Sequence, residues 1–487
     1  MQQDAAREGG RDDVDIVLVL QGTVIDCASR GELRVLEHAV IGVDADGRIA
    51  FREAEHLETL HPGGSVTLRS SKTVPLSAKC TIKRLPARGF VVPGMVDTHT
   101  HAPQYAFVGL GYELQLLEWL TTYTFPSEAK FNDPKYAARI CRNAVGRTMR
   151  HGTTSCVWFA TIHTDAAVQL GRIAANLGQR AFVGKVNMDR NSPEFYVEST
   201  AQSLAETERF VAAMLADESS GTGGQVFDAG GACVECAPRG PPALPVITPR
   251  FVPTCTMELM EGLAAIAARH NLRITSHISE NLGEIEWVKS LHPTLTSYAG
   301  VYDKAGLLTP RTILAHGVYL TAEERALFRA RGASVSHCPL SNCMLRSGML
   351  NVRRLLDEGV NVSLGTDVSG GASPSMLSAI REALKVSNLV SLYEKDAAGD
   401  AYKPLTDVEA FWLATAGGAA TLGVPGLSGT LDVGCVFDAL VVDPEAAGSA
   451  LDLEPTDTPL QAFKRWLTMG DDRNTKELYV QGVEMLL

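Results

Sequence analysis

The sequence predicts an α/β protein: a (β/α)8 barrel joined to a small β-sandwich domain that is assembled from both ends of the chain. Three observations predict it. The middle of the chain alternates short apolar runs with amphipathic helical stretches, and the two ends show only strand-like runs and turns. Histidines and an aspartate recur where the apolar runs of the middle stop.

The N-terminal segment opens with Ile16-Val17-Leu18-Val19-Leu20 and continues with Ala39-Val40-Ile41-Gly42-Val43, which runs into the turn Asp44-Ala45-Asp46-Gly47. These are strand and hairpin signals without a long helical period. The same texture returns in Phe437-Asp438-Ala439-Leu440-Val441-Val442 and in Glu477-Leu478-Tyr479-Val480-Gln481-Gly482. One composite β-domain is therefore expected over residues 15–88 and 426–487, after a disordered tail at 1–14, with the barrel over 89–425.

Within the barrel, strands are expected at Val91–Asp97, Thr153–Phe159, Ala181–Asn187, Pro245–Phe251, Arg273–His277, Arg311–His316, Ala333–His337 and Asn361–Asp367. Helices are expected between them, at Tyr136–Arg150, Ala166–Leu177, Ser203–Leu215, Met257–His270, Ala322–Ala330 and Ser375–Ser387. Periodicity alone leaves a doubly wound open sheet as the alternative. The stretch 218–244 is rich in Gly, Ala, Ser and Pro and breaks the rhythm, so it reads as a flexible surface insertion.

Composition bounds the function. A chain of 487 residues with 45% hydrophobic and 21% charged residues has the make-up of a globular protein with a large core. No apolar stretch has the length of a membrane span, and the N-terminus has no hydrophobic signal core, so a cytoplasmic protein is expected. A net charge of −12 opposes binding to nucleic acid or to an anionic membrane, but does not disfavour a small neutral substrate. The ten cysteines are scattered, often within apolar runs such as Ser155-Cys156-Val157-Trp158, as expected of reduced thiols packed in a core. The single CxxC, Cys233 to Cys236, has no second pair to complete a zinc site.

The chemistry is expected at the strand ends. In Asp97-Thr98-His99-Thr100-His101, residues two apart face the same side of an extended segment, so His99 and His101 can point at one metal. Taken alone, such a pair is weak evidence. Its company gives it weight: His277 ends the fifth expected strand, His316 the sixth and Asp367 the eighth. In a barrel these ends meet at one face, where imidazoles and a carboxylate form a nitrogen/oxygen site suited to zinc with room for a water. Such a metal lowers the pKa of its water to about 7. Glu280, three residues after His277, is placed to move protons beside that water, although an acid opening the next helix is its plainer explanation.

These residues resemble a known family. Pro93 to His101 (Pro-Gly-Met-Val-Asp-Thr-His-Thr-His), Ser-His-Ile-Ser-Glu at Ser276 to Glu280, Ala-His-Gly at Ala315 to Gly317, Ser-His-Cys-Pro at Ser336 to Pro339 and Gly-Thr-Asp at Gly365 to Asp367 resemble the amidohydrolase superfamily signature. Longer blocks at His101 to Phe107, Leu117 to Pro126, Phe159 to Asp165, Gln179 to Val186, Thr248 to Phe251 and Gly470 to Asn474 are similar to the guanine deaminases of eukaryotic type within it.

The resemblance implies one zinc per subunit held by His99, His101, His277 and Asp367, with His316 beside the metal water. It implies guanine as substrate and a homodimer as the assembly. The guanine-binding residues it implies are Gln104, Arg250 and Phe251, together with His101, His277, Asp367 and, as a pocket wall, Trp119. A planar base with carbonyl and ring-nitrogen acceptors suits the donors of Arg250, although a surface ion pair is that arginine's plainer role. Members with two metals bridge them by a modified lysine on the fourth strand; here that strand ends in Pro249-Arg250 and Lys185 lies in the third, which favours one metal.

On this reading Asp367 orients the attacking water and accepts its proton. Glu280 protonates a ring nitrogen and then the leaving amine, and His316 stabilises the developing charge. His337 is expected to organise the pocket, whereas His151 and His163 have no role. The rivals are another deaminase of this barrel, acting on a pyrimidine, triazine or adenosine-like ring, and a non-catalytic scaffold. The cytidine-deaminase design is excluded because His56-Leu57-Glu58 has no Pro-Cys-x-x-Cys to accompany it.

Overall fold

The computed structural model describes residues 15–54, 60–220, 226–227, 233–234, 243–394, 402–424 and 428–486. The tail at 1–14, the triplet at 56–58, residue 236 of the CxxC and most of the stretch 218–244 lie outside the described residues.

The fold class is the one expected. Eight parallel strands form the central sheet: β1 (Met95–His101), β2 (Thr153–Phe159), β3 (Arg180–Asn187), β4 (Leu244–Pro249), β5 (Arg273–Ile278), β6 (Thr312–His316), β7 (Ser334–His337) and β8 (Asn361–Leu364). They pair in sequence order, and β8 comes back beside β1. Thr98 Oγ1 donates to the Leu364 carbonyl (2.9 Å), Asp367 N to that of His99 (2.9 Å) and His101 N to that of Val368 (3.1 Å). These bonds tie the last strand and its following turn to the first. Gly365 permits the approach: a Cβ there would stand 2.7 Å from Ser336 Oγ and 2.9 Å from the His99 carbonyl oxygen.

The first barrel strand differs from expectation. The run read as Val91–Asp97 is divided at Gly94, where a Cβ would fall 2.3 Å from Thr154. Phe90–Pro93 pairs with Ile16–Ser29 and Ala439–Val442 in a second, mixed sheet, and only Met95–His101 enters the barrel. That sheet also holds Glu32–Asp44, Ile49–Glu53, Ser65–Thr67, Thr73–Arg84, Thr475–Val480 and Val483–Met485, so both chain ends build it. Apolarity alone cannot show that one continuous run serves two sheets.

Local chemistry explains the helices. The helix Pro134–Arg150 starts with Asp133 accepting from Lys135 N and buries a stripe that includes Ile140, Ala144, Val145 and Met149. Thr321 and Glu324 form a capping box for Ala322–Arg331, which ends at Gly332 with φ +68°. Val96, Val157, Phe182, Val246 and Ile313 fill one end of the barrel interior against Ala419, Leu422 and Val424. The opposite, C-terminal end of the strands is left for polar groups. No described helix is long and apolar enough to cross a membrane, and Cys27, Cys80, Cys141, Cys156, Cys255, Cys338, Cys343 and Cys435 are free thiols.

Candidate active site

The residues singled out at the strand ends converge. His99 and His101 close β1, His277 lies on β5, His316 ends β6, and Asp367 stands three residues beyond β8 with φ +49°. One donor atom each from His99, His101, His277 and Asp367 lies within 4.8 Å of all the others. His99 Nε2 is 3.1 Å and His101 Nε2 3.3 Å from Asp367 Oδ1, and the Nε2 atoms of His101 and His277 are 3.3 Å apart.

Both ring nitrogens of His99 are buried without a hydrogen-bond partner, despite the short distance from Nε2 to Asp367. A buried nitrogen that stands close to a carboxylate without hydrogen-bond geometry is what a shared cation explains. His277 donates from Nδ1 to the Arg250 carbonyl (2.6 Å), which fixes its tautomer and leaves Nε2 as a lone pair. Burial lowers the pKa values of His99, His101 and His277, His101 to about 4, so all three imidazoles are neutral at pH 7 and able to ligate a metal. Burial opposes ionisation of Asp367, but the facing imidazoles of His99, His101 and His316 hold its carboxyl well below the usual range. This donor set fits a zinc-type metal.

Second-layer contacts hold the ligands. Asp97 accepts from His99 N (3.2 Å), Thr366 N (3.1 Å) and Thr366 Oγ1 (2.5 Å), and so joins the segments bearing His99 and Asp367. His316 is bonded at Nδ1 to Asn342 Oδ1 (2.8 Å) and turns Nε2 to Glu280 Oε2 (3.3 Å) and Asp367 Oδ2 (3.8 Å).

The His/Asp group opens into a cavity lined among others by Gln104, Trp119, Arg250, Phe251 and Glu280. Glu280 is buried and accepts from Ser347 Oγ (2.8 Å). Burial, with Asp367 nearby, pushes its carboxyl up to about 8. A neutral carboxylic acid beside a metal-ligand cluster is a proton donor at pH 7. Every other expected substrate contact borders the same cavity: His101, His277 and Asp367 at the metal side, and Trp119, whose Nε1 is committed to the Leu110 carbonyl (3.1 Å), as a wall.

The amidohydrolase family model matches residues 90–485. The chain belongs to the amidohydrolase family. Guanine deaminase of Mus musculus is 42% identical over 482 residues, covering 97% of each chain, and that of Dictyostelium discoideum is 40% identical over 468 residues, covering 96% of this chain and 98% of its own. A crystal structure of guanine deaminase from C. acetobutylicum with bound guanine in the active site aligns with a TM-score of 0.82 at 32% identity, over 96% of this chain and 99% of that one.

Several residues of this amidohydrolase's site escaped sequence reasoning. Glu128 meets Arg250 in a bidentate pair (Nη1–Oε2 2.7 Å, Nη2–Oε1 3.0 Å) and is fully buried. Arg250 is therefore not a surface arginine. Glu284 borders the cavity and accepts from Glu280 N (3.0 Å), Asn281 N (3.3 Å) and Tyr298 Oη (2.6 Å); burial pushes it up to about 7. A visible signal for Glu284 was its place as the third residue of the helix after Asn281, a capping box. Glu128 sits two residues past a block that resembled the family, with no local signal of its own.

Four other residues complete the picture. Lys185 is paired with Glu198 inside the protein (2.7 Å). His337 is buried with neither ring nitrogen bonded, and burial holds it at about 3, so it is a neutral packing group near His316. His151 and His163 sit at helix ends.

Proposed function

We propose that this amidohydrolase is a zinc-dependent guanine deaminase that hydrolyses guanine to xanthine and ammonia. The reading is carried by one cavity that joins a neutral acid, Glu280, and a His/Asp ligand cluster to the donors of Arg250 and Gln104. It is supported by guanine deaminases related along nearly the whole chain.

His99, His101, His277 and Asp367 are the residues that would hold one zinc. When bound, the metal supplies a water acidic enough to attack at neutral pH. Arg250 and Gln104 bind the polar edge of the base, while Phe251 and Trp119 bound the flat slot. Asp367, ionised, orients the attacking water and takes its proton. Glu280, neutral, gives its proton to a ring nitrogen as C2 becomes tetrahedral; as a carboxylate it then takes the hydroxyl proton of C2 and passes it to the amine, which leaves as ammonia rather than as an anion, and the proton held by Asp367 returns to Glu280. His316, whose Nε2 faces Glu280 and Asp367, stabilises the charge that develops between them. A homodimer in the cytoplasm completes the proposal, in keeping with the resemblance; light scattering of the purified protein checks the assembly.

The test is direct. Purified protein incubated with guanine is expected to convert its ultraviolet spectrum to that of xanthine, with one ammonia released per xanthine. Absence of both signals from folded, zinc-loaded protein would refute the assignment.

A further inference from the structure

The Arg250 side of the cavity rests on a residue that does not itself border it. Glu128, on the short helix Phe125–Ala129, has each carboxylate oxygen engaged twice. Oε2 accepts from Arg250 Nη1 (2.7 Å) and Tyr196 Oη (2.8 Å); Oε1 accepts from Arg250 Nη2 (3.0 Å) and Gln104 Nε2 (3.2 Å). We propose that Glu128 is a positioning residue for substrate recognition, acting through Arg250 and Gln104 to fix which donors and acceptors the pocket offers a purine base.

Two features separate this from an ordinary buried ion pair. First, both Arg250 and Gln104 border the cavity while Glu128 stands behind them, so its effect reaches the ligand through their orientation. The bidentate contact sets the plane of the guanidinium, and the Phe125 ring 5.1 Å from Cζ backs it. The N–H groups of Arg250 that Glu128 does not engage are left for a base carbonyl in the cavity that Arg250 lines. Second, a carboxylate can only accept, so Gln104 must turn Nε2 toward Glu128; Ser369 N donates to the other end, Oε1 (3.3 Å). The amide of Gln104 is thereby locked in one of its two orientations, and with it the pattern read by the substrate.

Glu128→Gln removes the charge and lets the amides of residues 104 and 128 flip, at nearly constant shape. The inference rests on the guanine deaminase reading, so the wild-type protein is first assayed on guanine and on 2-aminopurine, which keeps the 2-amino group and lacks the C6 carbonyl. Guanine turnover by the wild type tests that reading, and the variants test this one. In Glu128→Gln the KM for guanine is expected to rise about tenfold or more with kcat changed less than about threefold, and the preference for guanine over 2-aminopurine to fall by about tenfold. Metal content should remain that of the wild type.

Glu128→Asp, which keeps the charge, should restore part of the preference. Tyr196→Phe, which removes only one bond to Oε2, should give a smaller rise in KM in the same direction, and it decides the matter if Glu128→Gln does not fold. Folded variants with unchanged KM and an unchanged guanine preference would overturn the proposal, because a purely structural ion pair changes thermal stability and not the substrate ratio.

Discussion

The two walls of the cavity are built on opposite rules. On the metal side, His99 keeps two buried nitrogens without hydrogen bonds and His316 keeps Nε2 unbonded. On the recognition side, Glu128 takes four hydrogen bonds from Arg250, Tyr196 and Gln104. Unpartnered buried nitrogens cost about 1–3 kcal/mol each, and a protein keeps them clustered where a ligand satisfies them. A satisfied network costs less and serves a different end: it holds donors still. On the proposed function the first wall would hold a metal and move protons, and the second would present a fixed pattern.

That contrast can be broken at either wall. Glu280→Gln removes the acid and no ligand; turnover is expected to fall about a thousandfold while zinc content and KM stay near wild type, as measured by steady-state kinetics and elemental analysis. Arg250→Ala should act in the opposite way. It leaves Glu128 buried without its cation, so stability drops by about 3–5 kcal/mol in a denaturant titration, and KM rises more than kcat falls.

pH separates the walls as well. Glu280 is raised to about 8 in the folded protein, so the neutral acid is present below that value and is lost as pH rises through it. The rate should therefore fall on the alkaline side near pH 8, and this limb should be absent from the residual activity of Glu280→Gln. The sign for stability follows from the same shift: the buried carboxyl begins to cost stability once the unfolded chain ionises, near its ordinary value of 4.5, and the cost grows until pH reaches about 8. Glu280→Gln removes that penalty, so its advantage in thermal stability should grow over the same window. The mildest change is Tyr298→Phe, which takes one donor from Glu284, the residue that holds the Glu280 backbone N–H. A loss of about three- to tenfold in kcat is expected, with KM unchanged.

The metal wall was legible in the sequence and much of the recognition wall was not. His99 and His101 are two residues apart on one strand, and His277, His316 and Asp367 mark the ends of later strands, so barrel topology alone brings them together. Arg250 and Gln104 were found by resemblance. Their common anchor, Glu128, lies on a short helix that joins the first strand to the first long helix, and a single glutamate there has no period or spacing to mark it. The same limit explains Gly94. Composition showed an apolar run, whereas the division of that run between two sheets depends on tertiary contacts with Thr154 and with Ala439–Val442.

The proposed chemistry turns on a metal held by His99, His101, His277 and Asp367, so the decisive measurement is a zinc titration of chelator-stripped protein with guanine turnover as the signal. The metal site predicts that stripped protein is inactive and that activity returns in proportion to zinc, with a break at one equivalent per chain. Full guanine turnover by stripped protein, or a break at two equivalents, would contradict it.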